Sequence, residues 1–335
     1  MGLLVNGEWV DQWYDTEASD GAFVRDNARF RNWVSVDGSE GPSGRAGFKA
    51  EAGRYHLYVS HACPWAHRTL IYRALKGLES LIPVSVVHPL MRDEGWTFNS
   101  DFKGCTGDPL YAHKRLYDLY LQSDPKTTGR VTVPVLWDTK EECIVSNESS
   151  EIIRMFNSAF DHLGAKSLDL YPPKLREAID AMNLITYEAV NNGVYKAGFA
   201  TTQAAYESAL VALFDTLDQL ERLLTDQRYL VGGDISEADW RLFPTLVRFD
   251  AVYVGHFKCN IRRIADYPAL SAYVRDLYQQ AGIASTLHMD HIKAHYYRSH
   301  PTLNPSGVVP VGPLLDFEAA HGRALLGPSA SAVLM

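Results

Sequence analysis

The chain is 335 residues long, 46% hydrophobic and 21% charged, with a net charge of −8. That length has room for two domains, and the acidic balance argues against a general binder of nucleic acid or of acidic membranes. No apolar run is long enough to span a bilayer and no charged n-region precedes an apolar h-region at the N-terminus, so neither a membrane span nor a secretory signal is expected.

Residues 1–50 are rich in Trp, Asp, Gly and Ser, and Trp9, Trp13, Phe23, Phe30 and Trp33 follow neither a helical nor a strand period. They read as an extended arm that must pack on the body of the protein or on a partner, because so many large aromatics are costly to leave in water. Gly41-Pro-Ser-Gly44 is its joint. Residues 51–160 then read as strand (54–60), helix (64–77), strand (82–88), a long connection, two strands (133–138 and 142–145) and a helix (147–158), which is βαβ followed by ββα. The right-handed crossover rule makes the first two strands parallel, and the short link at 138–142 makes the next two an antiparallel hairpin. The connection from Pro89 to Arg130 is too long to be bare loop, and Leu110, His113, Leu116, Tyr117 and Leu121 predict a helix within it.

Residues 161–174 read as a linker and 175–300 as helical. Leu210, Leu213, Leu217, Leu220 and Leu224 form a core-facing stripe. Ser236-Glu-Ala-Asp239 is a capping box, so Asp239 is read as a folding residue. The prolines at 301, 305, 310 and 313 predict an irregular tail over 301–335.

The chemistry is expected at Cys63. Strand periodicity gives way to helix periodicity at Cys63-Pro64, and proline at the first helical position leaves the cysteine near the N-cap, facing the positive helix end. A free thiol is only about 3% thiolate at pH 7, whereas cysteines at helix N-termini fall to a pKa of roughly 3.5 to 7.5. A lowered pKa also makes the sulfur a good leaving group, which suits a cycle in which a mixed disulfide forms on Cys63 and is broken by another thiol. A C-x-x-C motif would supply that thiol, but position 66 is Ala66, so an external small thiol is the natural resolving agent. Cys105, Cys143 and Cys259 have no paired spacing, which fits a reducing, cytoplasmic setting better than a disulfide scaffold. Cys105 is a candidate resolving thiol that such a cycle does not need. His288, His291 and His295 stand at helical spacing, followed by His300, but lack an acidic or cysteine ligand pattern of known type, so no metal is expected.

The order of elements around Cys63-Pro64, Val133-Pro134 and Glu148-Ser149 resembles the thioredoxin-like domain plus all-helical domain of the glutathione transferases. Further segments sharpen the resemblance: Tyr58-Val-Ser-His-Ala-Cys-Pro-Trp-Ala-His-Arg68, Gly95-Trp-Thr-Phe98, Gly129-Arg-Val-Thr-Val-Pro-Val-Leu-Trp-Asp138, Ile144-Val-Ser-Asn-Glu-Ser149, Asn191-Asn-Gly-Val-Tyr195 and Val247-Arg-Phe-Asp-Ala-Val-Tyr253. Together they resemble the S-glutathionyl-hydroquinone reductases, the Xi-class transferases, over nearly the whole chain. The resemblance implies that Cys63 takes glutathione from a glutathionyl-hydroquinone as a mixed disulfide and that a second glutathione releases oxidised glutathione, with no metal. It implies backbone pairing of glutathione with Val133, which precedes a cis Pro134. It assigns γ-glutamyl anchors at Glu148 and Ser149, glutathione contacts at Trp96 and Arg130, an aromatic pocket holding Tyr195, Tyr253 and Tyr296, and a homodimer built through the helical domains. Tyr195 and Tyr296 would also assist the chemistry through their phenols. Two alternatives remain open: a glutaredoxin-like thiol transferase or dehydroascorbate reductase using the same cysteine, and a non-enzymatic glutathione-binding module.

Overall fold

The computed structural model describes residues 2–326, so residues 327–335 of the expected tail lie outside the described residues. The chain divides into two units. The first comprises Met1–Trp13, Arg25–Asp169 and Ser285–Ser299, and the second Tyr14–Val24, Leu170–Ala284 and His300–Met335.

The first unit opens on a hairpin of β1 (Leu3–Val5) and β2 (Glu8–Val10), turned by Asn6 at φ 50° and Gly7 at φ 85°. Positive φ at both turn residues matches the twist of the flanking strands, and Asn-Gly is the pair that tolerates it best. This short hairpin lies inside the stretch expected to be an extended arm without strands. Three-residue strands are too short to carry a readable alternation, so the Asn6-Gly7 turn is the signal that could have found it. The arm packs as its aromatics demand: the Trp9 ring stacks on Tyr117 at 4.7 Å and its Nε1 donates to the Asp93 carbonyl.

The sheet that carries the site comes next in the chain as β3 (Tyr55–Val59), α1 (Pro64–Leu75) and β4 (Val84–Val86), with α2 (Leu116–Ser123) inside the long connection. Beyond it lie β5 (Gly129–Arg130), β6 (Val135–Asp138), β7 (Cys143–Ser146) and α3 (Ser149–Ser158). The strand order is β4-β3-β6-β7, with β3 and β4 parallel and the β3–β6 and β6–β7 pairs antiparallel. This is the βαβ-then-ββα arrangement expected from the sequence. The small β5 pairs with β1 in a separate sheet, Leu3 opposite Arg130.

All five residues of β3 are buried. A central strand in a sheet covered on both faces has no solvent side. Its polar groups are satisfied internally: His56 Nε2 lies 2.8 Å from Ser85 Oγ, and the Tyr58 hydroxyl donates to Asp108 at 3.0 Å.

The second unit is built of α4 (Arg176–Thr186), α5 (Gly193–Gly198), α6 (Gln203–Asp226), α7 (Glu237–Arg248) and α8 (Pro268–Tyr278). The leucine stripe of α6 is buried throughout. Asp239 closes the capping box at the start of α7 and is fully buried, accepting from the amides of Leu230 and Ser236 and from the Tyr273 hydroxyl. Two π-helical turns interrupt the helices, Tyr187–Asn191 before α5 and Phe249–Tyr253 after α7. The last helix among the described residues, α9 (Met289–Ser299), belongs to the first unit. No described helix is long and apolar enough to cross a membrane.

Candidate active site

Pro64 is the first residue of α1, and Cys63 is its N-cap with extended backbone (φ −74°, ψ 122°). The first amides of a helix have no partner within it, and here the Ala66 N–H donates to Cys63 Sγ at 3.5 Å. The same sulfur lies 3.4 Å from the Val133 carbonyl, placed there by the turn into β6, where the Val133-Pro134 bond is cis. Cys63 is half-buried. The other cysteines occupy different environments. Burial pushes the Cys105 thiol up to about 11, and it raises Cys143 and, further, Cys259. Cys105 also lies against the Val87 carbonyl, so it is suited to staying a neutral thiol.

A second helix N-terminus belongs to the same unit. Glu148 is the N-cap of α3, and its Oε1 accepts from the Ser150 amide at 2.9 Å and the Ser150 hydroxyl at 2.8 Å. Ser149, the first residue of α3, is 3% exposed. α1 packs on α3, and Arg68 of α1 donates from Nη1 to Ser149 Oγ at 3.4 Å. The sequence reading assigns no role to Arg68. Its one readable sign is position, three residues beyond Trp65 on the same face of α1.

Trp96 and Arg130 are both engaged by neighbouring groups of the first unit. Trp96 is buried with its ring stacked on His295 of α9 at 4.9 Å. Arg130 donates from Nη1 to the Gln12 carbonyl, and its Nε lies 3.6 Å from an Asp26 oxygen.

In the second unit, Tyr195 on α5 and Tyr253 at the end of the Phe249–Tyr253 turn face each other edge to face at 6.2 Å. Phe257 lies 5.5 Å from both rings. Tyr253 is fully buried and Tyr195 half-buried. Each π turn inserts a residue relative to an α-helix and so re-aims the side chains beyond it, a device common at functional sites. Asn191, in the first of these turns, donates to Thr245 Oγ1 of α7 at 2.8 Å, tying the turn to the helix that leads into the second. Tyr296 is on α9 in the first unit, 1% exposed and edge-on to His295 at 5.3 Å. Its neighbour Tyr297 has its phenol pKa raised by burial.

The histidines of α9 and its approach are built into the packing. His288 stacks on His61 at 3.6 Å, His291 Nε2 lies 2.6 Å from the Lys103 carbonyl, and His295 Nδ1 lies 2.8 Å from the Pro89 carbonyl. His300, in the second unit, has its Nδ1 3.0 Å from His256 Nε2. Among the described residues no three His, Cys, Asp or Glu side chains are grouped to hold a metal ion.

A cysteine capping the first helix of a thioredoxin-like sheet, with a helical unit beside it in sequence, defines the class of the glutathione transferases. Residues 62–159 match the family model described as glutathione S-transferase, N-terminal domain, and residues 203–276 match the corresponding C-terminal domain. Within that class the chain belongs to the glutathionyl-hydroquinone reductases, the Xi-class transferases. It is 58% identical over 323 residues to glutathionyl-hydroquinone reductase YqjG of Escherichia coli K12, covering 96% of this chain and 98% of that one. It is 55% identical to glutathionyl-hydroquinone reductase PcpF of Sphingobium chlorophenolicum, covering 93% and 96%. The glutathione-bound structure of Escherichia coli YqjG superposes with a TM-score of 0.90 at 56% identity, covering 97% of this chain and 99% of that chain. The Xi-class transferase of Natrialba magadii gives 0.89 at 49% identity, covering 98% of each chain.

Proposed function

We propose that this protein reduces S-glutathionyl-hydroquinones to free hydroquinones at the expense of glutathione. The observation that carries the reading is the position of Cys63, a single cysteine at the N-cap of α1 with a helix amide on its sulfur. It stands in a chain that matches glutathionyl-hydroquinone reductases over more than nine-tenths of its length.

In the first step the Cys63 thiolate attacks the substrate sulfur. A cysteine–glutathione disulfide forms, the bond from sulfur to the aryl carbon breaks, and that carbon takes up a proton. If the ring carbon is protonated beforehand, as in the ketone tautomer, the electron pair of the broken bond passes to the carbonyl oxygen and the ring regains aromaticity. Phenols at Tyr195, Tyr253 and Tyr296 would bind the hydroquinone oxygens, and those of Tyr195 and Tyr296 would favour that form. In the second step the thiolate of a second glutathione attacks the disulfide, Cys63 leaves as thiolate, and oxidised glutathione departs. The sum is one glutathionyl-hydroquinone plus one glutathione going to one hydroquinone plus one oxidised glutathione.

For glutathione itself, the backbone of Val133 pairs with the cysteinyl segment, and Ser149 with the α3 N-terminus receives the γ-glutamyl carboxylate. Glu148 answers the ammonium, while Trp96 and Arg130 contact the tripeptide. The same reading takes residues 1–50 as arm, 51–160 as the glutathione-binding domain, 161–174 as linker, 175–300 as the pocket domain and 301–335 as tail. It makes the protein a cytoplasmic homodimer joined through its helical domains, and sedimentation as a monomer at micromolar concentration would refute that part.

The test is glutathione-dependent release of hydroquinone, run beside a disulfide and dehydroascorbate. A kcat/KM for the glutathionyl-hydroquinone about a hundredfold above the others, roughly 2.7 kcal/mol of transition-state preference, is expected. Equal or reversed rates would favour the second reading, a glutaredoxin-like thiol transferase or dehydroascorbate reductase, which the monothiol geometry with Ala66 also serves. Binding of glutathione without turnover of any of the three would leave only a glutathione-binding module.

A further inference from the structure

Arg68 is a buried cation to which the reaction above gives no part. It is 2% exposed, and a guanidinium is costly to take from water unless it is paired and hydrogen-bonded, so its place is set by its partners. Its surroundings fix it closely. The guanidinium carbon lies 4.6 Å from the centre of the Trp65 ring, and that of Arg25, from the N-terminal arm, lies 5.0 Å from the same ring. Trp65 is the second residue of α1 and so is anchored beside Cys63, which makes it a fixed platform for Arg68. From that platform Arg68 reaches Ser149 Oγ.

A serine hydroxyl offers one hydrogen and two lone pairs. With Arg68 donating to one lone pair, the Ser149 hydrogen is turned away from the guanidinium, and a charge-assisted bond behind a hydroxyl polarises it into a stronger donor. Any carboxylate seated on Ser149 therefore meets an oriented donor with a positive charge behind it, in addition to the amides of α3.

We propose that Arg68 is a positioning residue for glutathione, acting through Ser149 on the γ-glutamyl carboxylate, with Trp65 holding it in place. The proposal rests on the reading of Ser149 as the γ-glutamyl anchor. It predicts a selectivity that a purely structural arginine would not produce, because Arg68 should be felt only by a ligand that carries the carboxylate.

The experiment measures Kd by calorimetry, under reducing conditions, for glutathione and for 4-aminobutyryl-Cys-Gly, which is glutathione without the γ-glutamyl α-carboxylate. Arg68→Met is expected to weaken glutathione about tenfold, the scale of a lost charge-assisted bond, and to leave the analogue unchanged. Arg68→Lys, which keeps the charge and loses the fork, is expected to lose about threefold with glutathione alone. Equal loss for the two ligands, or no loss for either, overturns the proposal. Should Arg68→Met fail to fold, the same comparison in Arg68→Lys decides in the same way. Equal affinity of the unaltered protein for the two ligands removes the carboxylate anchor and the proposal with it. Absence of hydroquinone release with the Arg68 selectivity intact would instead sink the reductase reading alone.

Discussion

Cys63 and Cys105 are separated by what surrounds their sulfurs. The first takes a helix amide at the head of α1, while the second is half-buried against a carbonyl with its thiol pushed up to about 11. At pH 7 such a thiol is ionised in only about one molecule in ten thousand, too few for it to compete with dissolved glutathione as the resolving nucleophile. Cys63→Ala is therefore expected to abolish hydroquinone release while leaving glutathione binding measurable by calorimetry, and Cys105→Ser is expected to keep kcat. Turnover retained in Cys63→Ala would overturn the mixed-disulfide cycle. Cys63 was legible in the sequence because proline at the first helical position announces itself, and its N-cap place comes from that alone. Arg68 was not, since nothing in a run of residues tells whether an arginine points to water or inward to a serine far along the chain.

The helices of the second unit are set by close approaches as much as by their stripes. Gly198 ends α5 where a Cβ would overlap the Phe257 ring, and Phe257 is the ring that lies against both Tyr195 and Tyr253. Gly198→Ala must push that ring aside. A loss of about 1 to 3 kcal/mol in stability is expected from overpacking of this kind, measured by urea unfolding. With it, KM for the aromatic substrate should rise while Kd for glutathione stays constant; an unchanged KM beside the lowered stability would separate Tyr195 and Tyr253 from substrate binding. The leucine stripe and the Ser236–Asp239 box were readable because they repeat local rules. The two π turns were not, because a π turn differs from an α turn by one residue of register that only the packing of neighbours makes worthwhile. The β1–β2 hairpin lay between these cases, with its Asn6-Gly7 turn in plain view and its strands too short to show a period.

Acid should destabilise both units. His56 in the first and His256 in the second have their pKa values pushed down to about 4, chiefly by burial, against an ordinary 6.5. Above pH 6.5 these side chains are neutral whether the chain is folded or not, and their contribution to stability is complete. As pH falls from 6.5 toward 4, the unfolded chain binds protons that the folded chain refuses, so that contribution is lost across this window. The loss is on the order of a few kcal/mol in all. The urea midpoint is expected to fall between pH 7 and pH 4.5, with a shallower fall in His256→Gln. The same slope in that variant would show that His256 does not contribute.

The order of the elements, the cysteine at the head of α1, the parallel and antiparallel pairs and the helical second half were all determined by the sequence. Each depends on neighbours within a few residues or on the handedness of the chain, and such rules act before any distant contact forms. The long-range partners were decided only in the tertiary structure. β1 finds its partner at Gly129–Arg130, α9 belongs with the sheet, and Arg68 meets Ser149. These depend on which remote segments come together, and a linear pattern of polar and apolar residues carries no record of that.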